Sequence, residues 1–139
     1  MGNDLLKRLV LVIDGNEHSR EAIADRLRLW GYLPFGVRSG AQAIEYLEMG
    51  LRPCTILLDV FTCEDAWPFR AAQLASRTWR TIPLLVGVAL GQRAETMAEE
   101  LDVPPDHCVS RPLDFDALAR LLERYCPLPT SLRAMSRAV

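Results

Sequence analysis

The sequence has little that would mark a membrane protein or a nucleic-acid-binding protein. Its longest apolar stretch, 82–90, is interrupted by Pro83 and Gly87, and a helix that spans a bilayer needs about 20 apolar residues. Basic residues are not in excess either, because the formal net charge is -2. A basic footprint for nucleic acid is therefore missing. We expect neither a membrane nor nucleic acid among the partners of this domain.

Cysteine is sparse, and its spacing shows no metal-binding or redox motif. No C-x-x-C pair occurs, and no secretory leader is evident. The absence of a disulfide-rich pattern favours reduced thiols and a cytoplasmic location. The cysteines concerned are Cys54, Cys63, Cys108 and Cys126.

Two further absences argue against nucleotide binding and against turnover. No glycine-rich phosphate loop follows any of the predicted strands, so a nucleotide-binding or small-ligand-binding domain has poor support. Neither His18 nor His107 has an obvious nucleophile partner in the sequence. We therefore do not expect an enzyme.

What the sequence does contain is a regular alternation of two patterns within 139 residues, enough for one domain. Apolar runs typical of buried strands alternate with segments of helical periodicity. Asn16 and Ser39 suit helix N-caps, Gly31 and Gly50 suit helix ends, and Pro34 places the second strand near a sheet edge. The predicted strands are 9–14, 32–37, 55–60, 82–89 and 107–110. The predicted helices are 17–30, 40–49, 69–79 (starting near Pro68), 93–101 and 115–125.

Five strands that alternate with five helices predict an α/β fold, because each parallel crossover needs a helix. We expect a three-layer, flavodoxin-like (βα)5 sandwich with a parallel five-stranded sheet in the order 2-1-3-4-5. The first and third strands, each fully apolar up to an acid, should be adjacent, central and buried.

Asp14 and Asp59 end these two strands, where ligands bind in open α/β sheets. Neighbouring strands would bring the two carboxylates about 5 Å apart. Such a pair needs a proton, an arginine or a cation between its members, and Mg²⁺ suits oxygen ligands. The alternative is that each acid only caps the loop or helix that follows it.

Several segments in register resemble the receiver domain of bacterial response regulators. They are LVLVID-GNEHSRE, WGY, SGAQAIEYL, TILLDV, IPLLVGVA and SRP. The resemblance covers 5–126, which we take as the domain. The remaining residues, 127–139, have little periodicity and are interpreted as a C-terminal tail or linker.

The resemblance implies a site at the ends of the strands. Asp59 would accept a phosphoryl group from a histidine kinase. Asp14, Asp59 and the backbone carbonyl of Phe61 would bind Mg²⁺. The position of the phosphate-binding hydroxyl falls on Val88, and that of the lysine-proline pair, commonly joined by a cis peptide, falls on Arg111-Pro112.

The sequence departs from the receiver pattern at most of these positions. Gly15 replaces the second acid, Val88 has no hydroxyl, Arg111 replaces a lysine, and Cys108 replaces the aromatic residue of the fifth strand. Weak Mg²⁺ binding, if any, is the consequence we expect.

Some of these residues also have simpler interpretations. Gly15 could serve a turn with positive φ. Glu17 could replace the lost acid or could lie in the first helical turn, where it suits the dipole. Glu64 and Asp65, in the loop after the third strand, are expected to face solvent.

Two functions remain open. The first is a degenerate receiver that acts as a protein-interaction module, in which Arg111 pairs permanently with Asp59. The alternative is an atypical Asp59 phosphoacceptor with weak Mg²⁺ binding. In either case the expected partner is a histidine kinase or another signalling protein, bound through the fourth helix, fifth strand and fifth helix or through the first helix. A homodimer is also compatible with the sequence.

Overall fold

The computed structural model describes residues 7–89 and 91–129, which form five strands and five α-helices in strict alternation. Within these ranges no helix is both long enough and apolar enough to cross a membrane. The strands are β1 (Leu9–Ile13), β2 (Leu33–Val37), β3 (Thr55–Asp59), β4 (Leu84–Val88) and β5 (Cys108–Ser110). The helices are α1 (Glu17–Trp30), α2 (Gly40–Glu48), α3 (Ala66–Ala75), α4 (Ala94–Leu101) and α5 (Phe115–Tyr125).

The strands form one parallel sheet in the order β2-β1-β3-β4-β5. Every residue of β1, β3 and β4 is buried, as continuous apolar runs require when helices cover both faces. Two apolar clusters fill the space on the two faces of the sheet. The predicted three-layer flavodoxin-like sandwich and its strand order are therefore confirmed.

The helix boundaries follow the predicted caps, with one exception. The side chain of Asn16 accepts a hydrogen bond from Ser19 N, and Gly31 ends α1 with φ of 100°. Helix α3 differs, because it begins at Ala66 and ends at Ala75 rather than near residue 79. Pro68 is tolerated there because the first turn has no intrahelical bond for its missing N–H to donate. The extended backbone of Ser76 ends the helix.

The cysteines correct the expectation of four reduced thiols. Cys54 and Cys126 form a disulfide with Cα atoms 5.7 Å apart, and they are 72 residues apart in sequence. The pair joins the residue before β3 to the residue after α5, a proximity that only the folded topology creates. Cys63 and Cys108 remain thiols.

The chain continues to pack against the core after α5, since Leu128 is 7% exposed and belongs to an apolar cluster. The expected bounds, 5–126 for the domain and 127–139 for the tail, remain predictions. Of these, residues 5, 6 and 130–139 lie outside the described residues.

Candidate functional site

Two buried carboxylates lie together at the carboxyl end of the sheet. Asp14 directly follows β1 and is 0% exposed, while Asp59 ends β3 and is 3% exposed. Their strands are hydrogen-bonded neighbours, and Asp59 is in register with Gly87 of β4. A Cβ at Gly87 would lie 3.2 Å from Asp59 Oδ1, so glycine leaves room for the carboxylate.

Arg111 supplies the positive charge between these acids. Its Nε donates to Asp59 Oδ1 at 2.9 Å, and its Nη2 donates to Asp14 Oδ2 at 3.2 Å. The backbone N of Arg111 donates to Val88 O, which attaches the residue to the end of β4. The Arg111–Pro112 peptide bond is cis, as the resemblance implies. One guanidinium thus pairs with both carboxylates.

Thr62, which the sequence analysis missed, joins the two acids from the other side. Its hydroxyl oxygen lies 2.9 Å from Asp14 Oδ1 and 2.6 Å from Asp59 Oδ2, and it accepts a hydrogen bond from Gly15 N at 2.9 Å. A hydroxyl has one proton, so it donates to one carboxylate at a time. The backbone N of Thr62 also donates to Asp59 Oδ2, at 3.1 Å. The only sequence signal was a hydroxyl residue three positions after an acid that ends a strand.

Ser19 completes the network from α1. Its hydroxyl donates to Asp14 Oδ2 at 2.6 Å and accepts from Arg111 Nη2 at 3.0 Å. Asn16 N donates to Asp14 Oδ1 at 2.9 Å. All four carboxylate oxygens of Asp14 and Asp59 therefore accept hydrogen bonds from the chain itself. Such satisfaction is what permits two ionised groups to remain buried.

Gly15 has a packing role, and the expectation of a turn with positive φ is wrong. Its φ is not in the positive region. Instead, a Cβ at this position would lie 2.4 Å from the carbonyl oxygen of Thr62. The loop after β3 approaches Gly15 so closely that any side chain there would have to displace it. The present position of this loop is therefore compatible with glycine at position 15 and not with an acidic residue there.

The residues of this site do not fit a Mg²⁺ ion. Mg²⁺ prefers octahedral oxygen coordination with carboxylate help, but the oxygens of Asp14 and Asp59 are already engaged by Arg111, Ser19 and Thr62. In the parts of the chain that the structure describes, no group of three or more His, Cys, Asp or Glu residues could hold a metal ion. The expected weak binding of Mg²⁺ by Asp14, Asp59 and the backbone carbonyl of Phe61 therefore stays a prediction.

Three further residues from the sequence analysis do not belong to the hydrogen-bond network of Asp14 and Asp59. Val88 is a core residue of β4, 2% exposed. Glu17 begins α1 and is exposed, in the position where its charge suits the helix dipole. Cys108 is half-buried in β5, and burial together with the nearby acids Glu95 and Asp106 raises the pKa of its thiol.

The expectation for the acids of the loop after β3 is half wrong. Glu64 is exposed, as expected. Asp65 instead accepts hydrogen bonds from Gly40 N and Ala41 N, both at 2.9 Å, at the start of α2. A carboxylate at a helix N-terminus satisfies N–H groups that have no intrahelical partner. The loop is therefore fixed at two points, by Thr62 to the acids and by Asp65 to α2.

Burial also affects Cys63, in the same loop. Desolvation raises the pKa of its thiol to about 11, although a hydrogen bond with Thr62 opposes the shift. This thiol is protonated at neutral pH and is not suited to act as a nucleophile.

Comparisons with known proteins show which proteins this chain is similar to. No protein-family model matches the sequence. The chain is 28% identical over 126 residues to the sensor histidine kinase RcsC of Salmonella typhi and 27% identical to RcsC of Salmonella typhimurium. The match covers 91% of this chain but only 13% of each kinase, so the chain corresponds to a small part of those proteins.

Solved structures with the same fold include receiver domains from several bacteria. One, from a signal transduction histidine kinase of Syntrophus aciditrophicus, has a TM-score of 0.72 at 24% identity and covers 85% of this chain and 89% of its own. Another, from a sensor histidine kinase of Pseudomonas aeruginosa, holds a magnesium ion in its active site cleft. It has a TM-score of 0.72 at 21% identity and covers 86% and 97%. A receiver protein of Pseudomonas putida has a TM-score of 0.71 at 22% identity, with coverage of 84% and 95%. The resemblance to receiver domains is thereby confirmed, and the chain has the fold of these receiver domains.

Proposed function

We propose that this chain is a degenerate receiver of a two-component system and works mainly as a protein-interaction module. The single observation that supports the proposal is the bridge from Arg111 to both Asp14 and Asp59. In this proposal the guanidinium takes the place of the metal ion and of the phosphate-binding lysine. The domain then keeps a single conformation, and its partners recognise this conformation without phosphorylation.

The chemistry of arginine favours a permanent bridge. A guanidinium stays protonated at any physiological pH, and its planar fork reaches two acceptors at once. Arg111 is also only partly accessible, with 25% of its side chain exposed. A Mg²⁺ ion would have to displace Arg111 from Asp14 and Asp59. Each of these buried carboxylates would then lose a charge-assisted hydrogen bond. Val88 offers no hydroxyl to hold a phosphoryl oxygen in exchange.

The partner that we propose is a histidine kinase or another signalling protein. Support comes from the sequence similarity to RcsC, named a sensor histidine kinase, over nearly the whole chain. The surfaces proposed for binding are the α4-β5-α5 face and helix α1, and the proposed location is the cytoplasm. The outer side of α4 carries Glu95, Glu99 and Glu100, all exposed, which favours a partner with a basic contact surface.

The rival function is an atypical phosphoacceptor. It is favoured by the retention of Asp59 at the end of β3 and by the magnesium ion in the cleft of the Pseudomonas aeruginosa receiver domain. In that case Arg111 would move away when Mg²⁺ and the phosphodonor bind, and Asp59 would be modified.

Intact-mass measurement after incubation with Mg²⁺ and a small acyl phosphate separates the two functions. Wild type, Asp59→Asn and Arg111→Lys should be treated beside a receiver domain known to accept phosphate. We expect no added phosphoryl group on wild type or on either variant. A phosphoryl group on wild type that is missing from Asp59→Asn would establish the rival function.

A further inference from the structure

The disulfide between Cys54 and Cys126 lies at the opposite end of the sheet from the buried acids. Cys54 directly precedes β3 and Asp59 ends it, so about 16 Å of extended strand separates the two residues. Cys54 is half-buried, whereas Cys126 is 1% exposed. A reagent from solvent therefore approaches the disulfide from the side of Cys54, and Cys126 is the sulfur that leaves when the bond breaks.

Each sulfur atom contacts an oxygen atom that could accept a hydrogen bond from a thiol. Cys54 Sγ lies 3.2 Å from Leu9 O, and Cys126 Sγ lies 3.2 Å from the hydroxyl oxygen of Thr55. Neither sulfur has a proton to donate while the disulfide is closed. The Thr55 hydroxyl donates to Cys54 O at 2.8 Å, which leaves its oxygen able to accept from a Cys126 thiol. Both thiols therefore have acceptors after reduction, and the reduced protein can keep its fold.

The end of α5 is held by non-covalent contacts as well as by the disulfide. The hydroxyl of Tyr32 donates to Cys126 O at 2.9 Å, and Cys126 N donates to Leu122 O at 2.7 Å. Beyond the helix, Leu128 belongs to an apolar cluster of the core. When the disulfide opens, only such contacts hold this segment. The last turn of α5 and the residues up to 128 should then open to solvent more often.

We propose that Cys54 and Cys126 form a reversible thiol–disulfide exchange site for low-molecular-weight thiols such as glutathione, and that its redox state sets how firmly the end of α5 is held. Disulfides in the cytoplasm, the location proposed above, are usually transient or redox-sensing. The site uses neither Asp14 nor Asp59, so its failure and the failure of the proposed function are separate outcomes.

Reduction consumes two glutathione molecules for each disulfide. The thiolate of the first attacks Cys54 Sγ, the S–S bond breaks, and Cys126 leaves as a thiolate that takes up a proton. The thiolate of the second attacks the glutathione sulfur of the mixed disulfide. Cys54 then leaves as a thiolate and is protonated, and glutathione disulfide is released. Two electrons thus pass from the two glutathione thiols to the cysteine pair, and glutathione disulfide drives the same steps in reverse.

Equilibration of the full chain with mixtures of reduced glutathione and glutathione disulfide tests the exchange. After an acid quench, the thiols are alkylated in denaturant and counted by intact mass. Wild type and Cys108→Ser should each gain a pair of thiols in one transition as the mixture becomes more reducing, whereas Cys54→Ser should show no paired transition. A wild-type disulfide that persists in reduced glutathione alone, or that glutathione disulfide does not form again, would overturn the proposal.

The side of attack is tested with the two variants that each keep one cysteine of the pair. Glutathione disulfide should modify Cys54 in Cys126→Ser roughly tenfold faster than it modifies Cys126 in Cys54→Ser, because Cys126 is buried. Peptide mass mapping identifies the modified cysteine. Equal rates would show that Cys54 is not the preferred point of attack.

Hydrogen exchange on wild type tests the conformational consequence without any substitution. At labelling times of seconds to minutes, peptides that cover residues 122–128 should exchange several-fold faster after reduction, while peptides from β4 stay protected in both states. Cys54→Ser should show the faster exchange with or without reductant, which separates the effect of the open disulfide from that of the reductant. If exchange at the end of α5 is the same in oxidised and reduced wild type, the redox state does not control this segment and the proposal is wrong.

Discussion

Arg111 and Asp59 are 52 residues apart in sequence, yet their side chains meet at 2.9 Å between Nε and Oδ1. The same guanidinium reaches Asp14, so one cation neutralises part of the charge of two buried carboxylates. This network leaves a buried charge without its partner when one of its charged members is removed. It therefore makes the stability of the fold depend on the residues of the site.

Removal of Arg111 should destabilise the domain. Arg111→Ala would leave Asp14 and Asp59 buried and facing each other without a cation, and we expect the free energy of unfolding to fall by about 3 kcal/mol. Arg111→Lys keeps the charge but loses the fork, so its loss should be smaller. Urea titration followed by circular dichroism measures both. Equal stability of Arg111→Ala and wild type would show that the bridge contributes nothing.

The fold could be predicted from the sequence because its signals are local and repeated. Continuous apolar runs that end in an acid are typical of buried parallel strands, and capping residues such as Asn16 and Ser39 set the helix starts. The order of strands followed from the alternation and the resemblance. The position of Asp14 beside Asp59 followed in turn, because the carboxyl ends of parallel strands lie at one edge of the sheet.

The features that could not be predicted from the sequence depend on contacts between segments that are distant along the chain. Nothing in the sequence indicated that the Thr62 carbonyl approaches Gly15, or that Asp65 caps a helix that begins 25 residues earlier. The Cys54–Cys126 pair was missed for the same reason, since its spacing of 72 residues resembles no motif. Such contacts depend on how the loops pack once the sheet is formed.

Restoring the lost acid should not restore a metal site. The side chain in Gly15→Asp would meet the Thr62 carbonyl, so the loop after β3 would have to move, and we expect lower stability. Titration with Mg²⁺, followed by tryptophan fluorescence, should show little change below millimolar concentrations for both wild type and this variant. Saturable binding at micromolar Mg²⁺ in wild type would contradict the poor fit of the site.

The disulfide should contribute measurably to thermal stability. A cross-link that closes a loop of this length removes conformational freedom from the unfolded chain, worth about 4 kcal/mol in the loop-entropy account. Reduction should therefore lower Tm by roughly 10 °C. Cys54→Ser should show the low Tm with or without reductant, whereas Cys108→Ser should respond to reductant as wild type does. If reductant leaves the Tm of wild type unchanged, Cys54 and Cys126 do not stabilise the fold as a pair.

The Asp59→Asn substitution distinguishes a domain with a single, phosphorylation-independent conformation from a domain that is switched by phosphorylation of Asp59. The amide keeps an oxygen that can accept from Arg111 and loses the charge and the site of phosphorylation. If partners bind a conformation that does not require phosphorylation, the variant should bind the cognate signalling protein about as tightly as wild type does. Its signalling in cells should also stay close to the wild-type level. The variant must first be shown to fold, because an amide nitrogen in place of Oδ2 would change two hydrogen bonds, those from the hydroxyl and from the backbone N of Thr62. Binding measured by calorimetry, beside a signalling assay in cells, then decides between the functions. A stable Asp59→Asn protein that no longer signals would mean that Asp59 is a true phosphoacceptor.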